Sequence, residues 1–204
     1  MTANKSPLCN RLLNYIRRNS ISLASKIVTA FTYTLLKLQG VAIGKSCIFY
    51  GKPHFELNNG GCIRIGKKCI FRSSPVSNRI GLNHKIIVSA TPLHSRTCSI
   101  TIGDNCGFSG TSIWCFNEIT IGNNVRCGAN TLIMDGDAHF EDARTTPPMP
   151  IIIEDNVFLG ANVVVKKGVT IGANTVVGMN SVVTHSLPAN CVAVGIPCKV
   201  IRQN

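Results

Sequence analysis

The length, composition and charge of the chain exclude several classes of protein. With 204 residues, 45% of them hydrophobic and only 15% charged, the chain is expected to form one ordered domain with a substantial core, not a disordered segment. Its net charge is +12, but it has few aromatic residues and no groove-reading motif, so we expect no nucleic-acid partner.

The first forty residues are predicted to form a helical cap. Apolar residues recur at helical spacing on both sides of Asn19–Ser20, which predicts two helices that end near Gly40. No acidic residue precedes Glu56, whereas eight Lys and Arg residues do. This asymmetry fits either a solvated basic face or peripheral association with an anionic membrane surface or substrate. The longest charge-free apolar run, Ile27–Leu36, is too short to span a bilayer.

The chain contains ten cysteines, but its first ten residues are polar and lack the apolar core of a signal peptide. We therefore expect free thiols and a cytoplasmic location, at or near the inner face of the membrane.

From Val41 onward, large apolar residues recur every six positions. Three such units predict one triangular coil, and stacked coils pair as parallel strands, so six or seven coils fit between residues 41 and 188. Cys47, Cys69 and Cys106 occupy a small inward position four residues after a large one. The glycines that follow the large residues are expected to supply tight corners with unusual φ. The clearest large residues are Ile153, Leu159, Val165, Ile171, Val177 and Val183, and the glycines are Gly44, Gly66, Gly103, Gly122 and Gly172.

The segment from Val157 to Arg202, together with "IGDNCGFSGTSI" and "DGDAH", resembles the hexapeptide-repeat acyltransferases, which include galactoside, maltose, xenobiotic and serine acetyltransferases. The resemblance covers residues 41–204. It implies a left-handed parallel β-helix, acetyl-CoA as the acyl donor, and a homotrimer with the active site between subunits. Periodicity alone would have favoured the right-handed sense. The predicted organisation is a helical cap over residues 1–40, a β-helix over 41–190 with loops near 73–97 and 139–150, and a CoA-binding tail over 191–204.

One position of the repeat holds a titratable residue. Six residues after Ile133 comes His139, and the next large residue, Ile153, follows 14 residues later, so the chain is expected to leave the coil as a loop. Histidine suits removal of a proton from an attacking hydroxyl group, and the resemblance implies the same role for His139. Asp137 would share its face and either orient the imidazole or bind the acceptor.

The resemblance places acetyl-CoA along the C-terminal coils, where backbone amides suit its thin arm and cations suit its phosphates. The candidate donor contacts, from thioester to nucleotide, are Gly160, Ala161, Met179, Thr184, Lys199 and Arg202, with Lys166 and Lys167 as further cations. No histidines stand one coil apart, so we expect no metal.

The acceptor is less well defined by the sequence. Residues 73–97 interrupt the repeat and could wall an acceptor pocket. The candidate contacts are Asn83, His84, Trp114 and Asp135. The leading hypothesis is O-acetylation of a sugar hydroxyl in surface-polysaccharide biosynthesis. The alternatives are N-acetylation of an amino sugar or small xenobiotic, and a non-catalytic trimeric scaffold, against which "DGDAH" argues.

Overall fold

The polypeptide forms one long α-helix followed by a triangular solenoid of short strands. The computed structural model describes residues 7–93 and 97–203. Residues 1–6, 94–96 and 204, which fall within the predicted cap, loop and tail, lie outside the described residues. Helix α1 spans Pro7–Leu38, and the strands that follow it belong to three sheets.

The sheets are described here in the order in which the chain visits them. The first contains β1 (Ala42–Ile43), β4 (Gly61–Ile65), β7 (Cys98–Ile102), β10 (Glu118–Ile121), β13 (Ile151–Ile153) and β16 (Thr170–Ile171). The second contains β2 (Ile48–Tyr50), β5 (Ile70–Arg72), β8 (Gly107–Ser109), β11 (Arg126–Ala129), β14 (Phe158–Leu159), β17 (Val176–Val177), β19 (Cys191–Val194) and β20 (Lys199–Gln203). The third contains β3 (His54–Leu57), β6 (Ile87–Ala90), β9 (Ser112–Cys115), β12 (Leu132–Met134), β15 (Val164–Val165) and β18 (Val182–Val183).

Three successive strands make one coil, and each strand pairs in parallel with its counterparts in the neighbouring coils. The described strands therefore form six full coils, and β19 begins a seventh. Strand β19 pairs in parallel with β17, so the second sheet continues past the boundary predicted at residue 190. The exception to the parallel pairing is β20, which runs antiparallel to β19. The division into three segments remains a prediction.

The interior of the prism consists of vertical stacks of like side chains. In the first three coils, Phe49 and Phe71 stack with ring centroids 4.8 Å apart, and Phe71 and Phe108 with centroids 5.3 Å apart. The predicted inward cysteines are also buried and free, with Cys69 fully enclosed. Each coil thus buries its apolar side chains only against its neighbours, as in other solenoids.

The corner glycines do not have the role predicted for them, because none of the five has a positive φ. That conformation falls two residues later, for example on Asn105 (φ 55°) and Asn124 (φ 58°). Asparagine tolerates this region. The side-chain amide of Asn124, through Nδ2, donates to Asn156 Oδ1 of the next coil at 3.0 Å. A Cβ on Gly66 would lie 2.6 Å from the carbonyl carbon of Gly103. Glycine is therefore required by the close approach of stacked backbones.

The predicted break at Asn19–Ser20 is also wrong, since α1 is continuous through it. The Ser20 hydroxyl donates to the Ile16 carbonyl at 3.0 Å, a local bond that a helix interior accommodates. By length and composition alone, the segment Asn10–Leu38 is long and apolar enough to cross a membrane, unlike the shorter run considered in the sequence.

The second half of α1 covers the open end of the first coil. The Tyr33 hydroxyl donates to the Gly44 carbonyl at 2.7 Å and accepts from the Cys47 amide at 2.8 Å. Thr29 Oγ1 accepts from the Phe49 amide at 2.9 Å. An uncovered first coil would expose a row of unpaired backbone groups, so these hydroxyls hold the helix in place while satisfying that edge.

The predicted loop over residues 73–97 is divided in the middle by β6, which corrects its extent. Val88 of β6 is fully buried and pairs with Phe55 and Ile113 as a regular member of the third sheet. Extra residues lie before β6, including a 3₁₀ turn at Pro75–Ser77. They shift β6 out of the six-residue register, so the repeat in the sequence does not reveal this strand. The part that leaves the coil, residues 73–86, is called the 73–86 loop below.

Candidate active site

The regular solenoid is interrupted after β12, where a buried carboxylate holds the corner. Asp135 has no exposed surface, and its oxygens accept from the backbone amides of Phe116, Asn117 and Glu118 at 2.7, 2.8 and 2.8 Å. The prediction that Asp135 contacts the acceptor is therefore wrong, because its oxygens are enclosed and used within the fold. Burial and the nearby Asp135 charge also raise the pKa of the Cys115 thiol.

The loop that follows is anchored by an ion pair. The Lys167 ammonium contacts the Asp137 carboxylate and also donates to the Thr146 carbonyl at 2.8 Å, with its side chain 10% exposed. Hydrogen bonding to Lys167 lowers the pKa of Asp137. Lys167 is therefore not a free cation for the donor, and Asp137 pairs with Lys167 instead of the imidazole. This pair corrects the free-cation role predicted for Lys167 and the imidazole contact predicted for Asp137, and it ties the loop to the next coil. Acceptor binding by Asp137 stays a prediction.

His139 lies on this loop at the surface. Its side chain is 80% exposed, with Nδ1 3.8 Å from Glu141 Oε1. The adjacent Phe140 ring packs edge-on against Phe116 with centroids 4.7 Å apart, and Phe116 lies against Trp114 at 4.8 Å. His139 is thus accessible on an anchored loop, with Trp114 nearby on the outer face of the third sheet. The sequence analysis did not predict a role for Phe116 and Phe140. Because aromatic residues are scarce in this chain, their presence near His139 was a signal that could have identified them.

The predicted donor residues lie on two different edges of the prism. Gly160, Ala161 and Met179 occupy the corner between the second and third sheets, where a Cβ on Gly160 would lie 2.5 Å from the Met179 amide. Met179 is 69% exposed. This edge is called the donor edge below. Asn83 belongs to the same edge, since its amide donates to Asn130 Oδ1 at 2.9 Å.

The other edge follows the third sheet and carries His139, and it is called the histidine edge below. Lys166, exposed, and Thr184 lie on it one and two coils further along. Thr184 Oγ1 is 2.9 Å from His185 Nδ1. Within one coil, the five residue steps from Ala161 to Lys166 separate the two edges by about 16 Å at the rise of a strand.

The remaining candidates are placed as follows. Lys199 and Arg202 are both exposed on β20, at the end of the second sheet. His84 is half-buried on the 73–86 loop, with Nδ1 2.8 Å from the Lys85 carbonyl oxygen. Within the part of the chain that the structure describes, no group of three or more His, Cys, Asp or Glu side chains is arranged to hold a metal ion.

Comparison with known proteins agrees with this architecture. Residues 150–185 match the family model described as the hexapeptide repeat of succinyl-transferase. A mutant of AntD, an N-acyltransferase from Bacillus cereus, in complex with dTDP-4-amino-4,6-dideoxyglucose and coenzyme A, has the same fold. The TM-score is 0.63 at 19% identity, over 84% of this chain and 88% of that one. The predicted left-handed parallel β-helix with an N-terminal helix is confirmed.

Curated relatives share the C-terminal repeats. Galactoside O-acetyltransferase of Escherichia coli K12 is 45% identical over 89 residues, or 42% of this chain and 44% of that protein. A 2,3,4,5-tetrahydropyridine-2,6-dicarboxylate N-acetyltransferase of Staphylococcus aureus MRSA252 is 38% identical over 86 residues, or 41% of this chain and 33% of that protein. The chain spans less than half the length of these relatives. The C-terminal repeats of the chain are thus similar to those of hexapeptide-repeat acyltransferases.

The anchoring role of Lys167 can be tested by Lys167→Met, which keeps the length of the side chain and removes its charge. We expect the Met149 amide, which donates to the Asp135 carbonyl at 2.9 Å, to exchange hydrogen faster because the loop is released. Hydrogen–deuterium exchange measured by mass spectrometry reports this, with Lys166→Met as the control on the exposed neighbour. Equal protection in the two variants would contradict the anchoring role.

The same pair predicts a pH dependence. Because Lys167 lowers the pKa of Asp137 below its ordinary 3.8, the pair is fully present above that ordinary value and is lost as the pH falls through the lowered one. Loop protection in the wild type should therefore be constant near neutrality and decrease only in strong acid.

Proposed function

We propose that the protein is an acetyl-CoA-dependent O-acetyltransferase that acts on a sugar hydroxyl, with His139 as the general base. The observation that carries the proposal is the accessible His139 imidazole on a loop anchored by Asp135, Lys167 and Phe140. An accessible ring can meet a substrate, and an anchored one keeps the geometry that proton transfer requires. The curated relatives named above are acetyltransferases.

In the proposed reaction, a neutral imidazole nitrogen of His139 accepts the proton of the acceptor hydroxyl. The hydroxyl oxygen attacks the thioester carbonyl carbon, and the carbon–sulfur bond breaks as the ester forms. The proton then passes from His139 to the CoA thiolate, so the base is regenerated.

A homotrimer is part of this proposal, because one subunit does not bring the two edges together. Gly160 and Ala161 lie on the donor edge and His139 on the histidine edge, with one face of the prism between them. A neighbouring subunit that places its donor edge against this histidine edge would complete the site. The cyclic contact this requires is heterologous, with different patches of the two subunits in contact, and a threefold axis closes such contacts into a ring.

For the acceptor, we propose a precursor of a surface polysaccharide. The 73–86 loop reaches the donor edge through Asn83, and Trp114 presents a partly exposed aromatic face near His139. An aromatic face together with nearby amide groups suits a sugar ring. N-acetylation of an amino sugar remains a second candidate, since N-acetyltransferases are among the relatives that match the repeats.

The base is tested by His139→Ala. We expect kcat to fall by roughly 10²–10⁴-fold, the contribution typical of a general base, without loss of the folded oligomer. Thiol release from acetyl-CoA, measured with a panel of sugar nucleotides and oligosaccharides, gives the rate. Mass spectrometry of the product then distinguishes an ester from an amide.

His54→Ala is the matched control, because His54 is exposed on β3 in the first coil, away from the loop. Full activity of the His139 variant would refute the proposed mechanism. No turnover and no CoA binding with any acceptor would favour a scaffold.

We further propose peripheral attachment to the inner face of the cytoplasmic membrane through α1. On the side opposite the solenoid, Leu23, Ile27 and Phe31 are 63%, 65% and 53% exposed. Thr29, Tyr33 and Leu36 hold the other side against the first coil. An apolar stripe flanked by Lys and Arg, with no acidic residue in the first 55 positions, suits an anionic bilayer surface.

Replacing Leu23 and Ile27 together by Ser should weaken binding to phosphatidylglycerol vesicles by at least about tenfold, since burial of each side chain contributes about 1.5–3 kcal/mol. Vesicle flotation measures the binding, and the double replacement by Met, which keeps an apolar stripe, is the control. Undiminished binding of the Ser variant would rule out attachment through this stripe.

A further inference from the structure

A groove separate from His139 lies between α1 and the 73–86 loop. It consists of two neighbouring cavities of about 280 and 270 Å³ that share Ile21, Val76 and Ser77. Ligand sites typically measure about 300–1,000 Å³, so the joined cavities have a suitable size. The first is otherwise lined by Ser20, Ala24, Ser25, Val28, Tyr50, Gly51 and Ser74, and the second by Asn14, Arg17 and Arg79.

The two cavities differ in polarity. The first is mainly apolar, with Ala24 and Val28 on the helix and Tyr50 on the first coil. The second carries two guanidinium groups, Arg17 from α1 and Arg79 from the loop. No carboxylate is among the described residues that line either cavity, so the positive charge is not neutralised there. A matching ligand has an apolar chain and an anionic head.

The floor of the groove is fixed by a third arginine. The Arg72 guanidinium lies 4.7 Å from the centroid of the Tyr50 ring and donates to the Ser77 carbonyl at 3.3 Å. Through Arg72, this pair of contacts joins Tyr50 of the first coil to the 3₁₀ turn. Arginine pairs with phosphate oxygens through two parallel hydrogen bonds, which favours phosphate as the anionic head.

We propose that this groove binds a phosphate-headed lipid, with the chain between α1 and Val76 and the phosphate between Arg17 and Arg79. The proposal rests on the proposed function and specifies it, since it makes the acceptor a sugar carried on a lipid phosphate. The groove also adjoins the exposed apolar stripe of the same helix, so a chain can reach it from a bilayer.

The groove and the donor edge lie along one side of the prism. Tyr50 belongs to the first coil, the 73–86 loop reaches Asn130 in the fourth, and Gly160 lies in the fifth. At about 4.8 Å per coil, four steps separate the groove from Gly160 by about 19 Å. A sugar attached to the phosphate would therefore extend along this side toward the acetyl donor.

The test is calorimetric titration of the full-length protein with farnesyl diphosphate, without acetyl-CoA. We expect binding that weakens at least about tenfold in the double variant Arg17→Gln/Arg79→Gln, since the variant loses the charge-assisted hydrogen bonds from both guanidinium groups to the phosphate. Ala24→Trp, which places a bulky side chain in the apolar cavity, should weaken it similarly. The matched controls, Arg11→Gln and Ala30→Trp on α1 outside the groove, should bind as the wild type does.

Titration with inorganic diphosphate, which has only the head, and with farnesol, which has only the chain, shows which part of farnesyl diphosphate supplies the affinity. If both bind at least about tenfold more weakly than farnesyl diphosphate, the site requires head and chain together. Equal binding of either compound, or unchanged binding by both groove variants, would overturn the proposal. Because the readout is binding, it is measured equally well in His139→Ala. If the groove proposal is wrong, the protein does not bind farnesyl diphosphate. If only the acetyltransferase proposal is wrong, the protein binds farnesyl diphosphate but shows no turnover.

Discussion

The carboxylate of Asp135 is the contact on which the loop that carries His139 depends. A six-residue repeat has no place for a charge inside the prism, yet Asp135 is fully buried and accepts three backbone hydrogen bonds from the preceding coil. Without it, the buried Phe116 amide would have no partner, at a cost of about 1–3 kcal/mol, and the partly buried Asn117 and Glu118 amides would lose theirs. By holding the corner closed, Asp135 allows the chain to leave the solenoid directly afterwards, and the Lys167–Asp137 pair returns it to the next coil. His139 is presented between these two anchors.

The straight prism also gives the reason for proposing a site shared between subunits. The described interior of the prism is filled by stacked apolar side chains such as Phe71 and Ile121, so we expect substrates to bind on its edges and faces. The donor edge and the histidine edge are one face apart, about 16 Å. Neighbouring subunits can bring two such edges together without any change within the coil. The 73–86 loop adds a further surface on the donor edge, where we place the lipid-linked acceptor.

Much of this architecture could be predicted from the sequence, because the six-residue period directly reports which side chains point inward. The period also located the loop at His139. It could not report backbone conformation, so the corner glycines were given an unusual φ that belongs to asparagines such as Asn105 and Asn124. Nor could it show that Asp135 turns inward or that Lys167 pairs with Asp137. Those contacts join residues of neighbouring coils that are distant in the sequence. A loop carboxylate also follows no repeat, so its position does not distinguish one that binds substrate from one that accepts backbone hydrogen bonds.

In the proposed trimer, His139 of one subunit acts on a donor held at Ala161 of the next. Subunit complementation tests it most directly, with His139→Ala and Ala161→Trp co-expressed under two affinity tags and mixed trimers isolated. Each variant alone should be inactive. A mixed trimer has one interface in three with both residues intact, so we predict about a third of the wild-type rate. Mixed trimers as inactive as either parent would contradict a site shared between subunits.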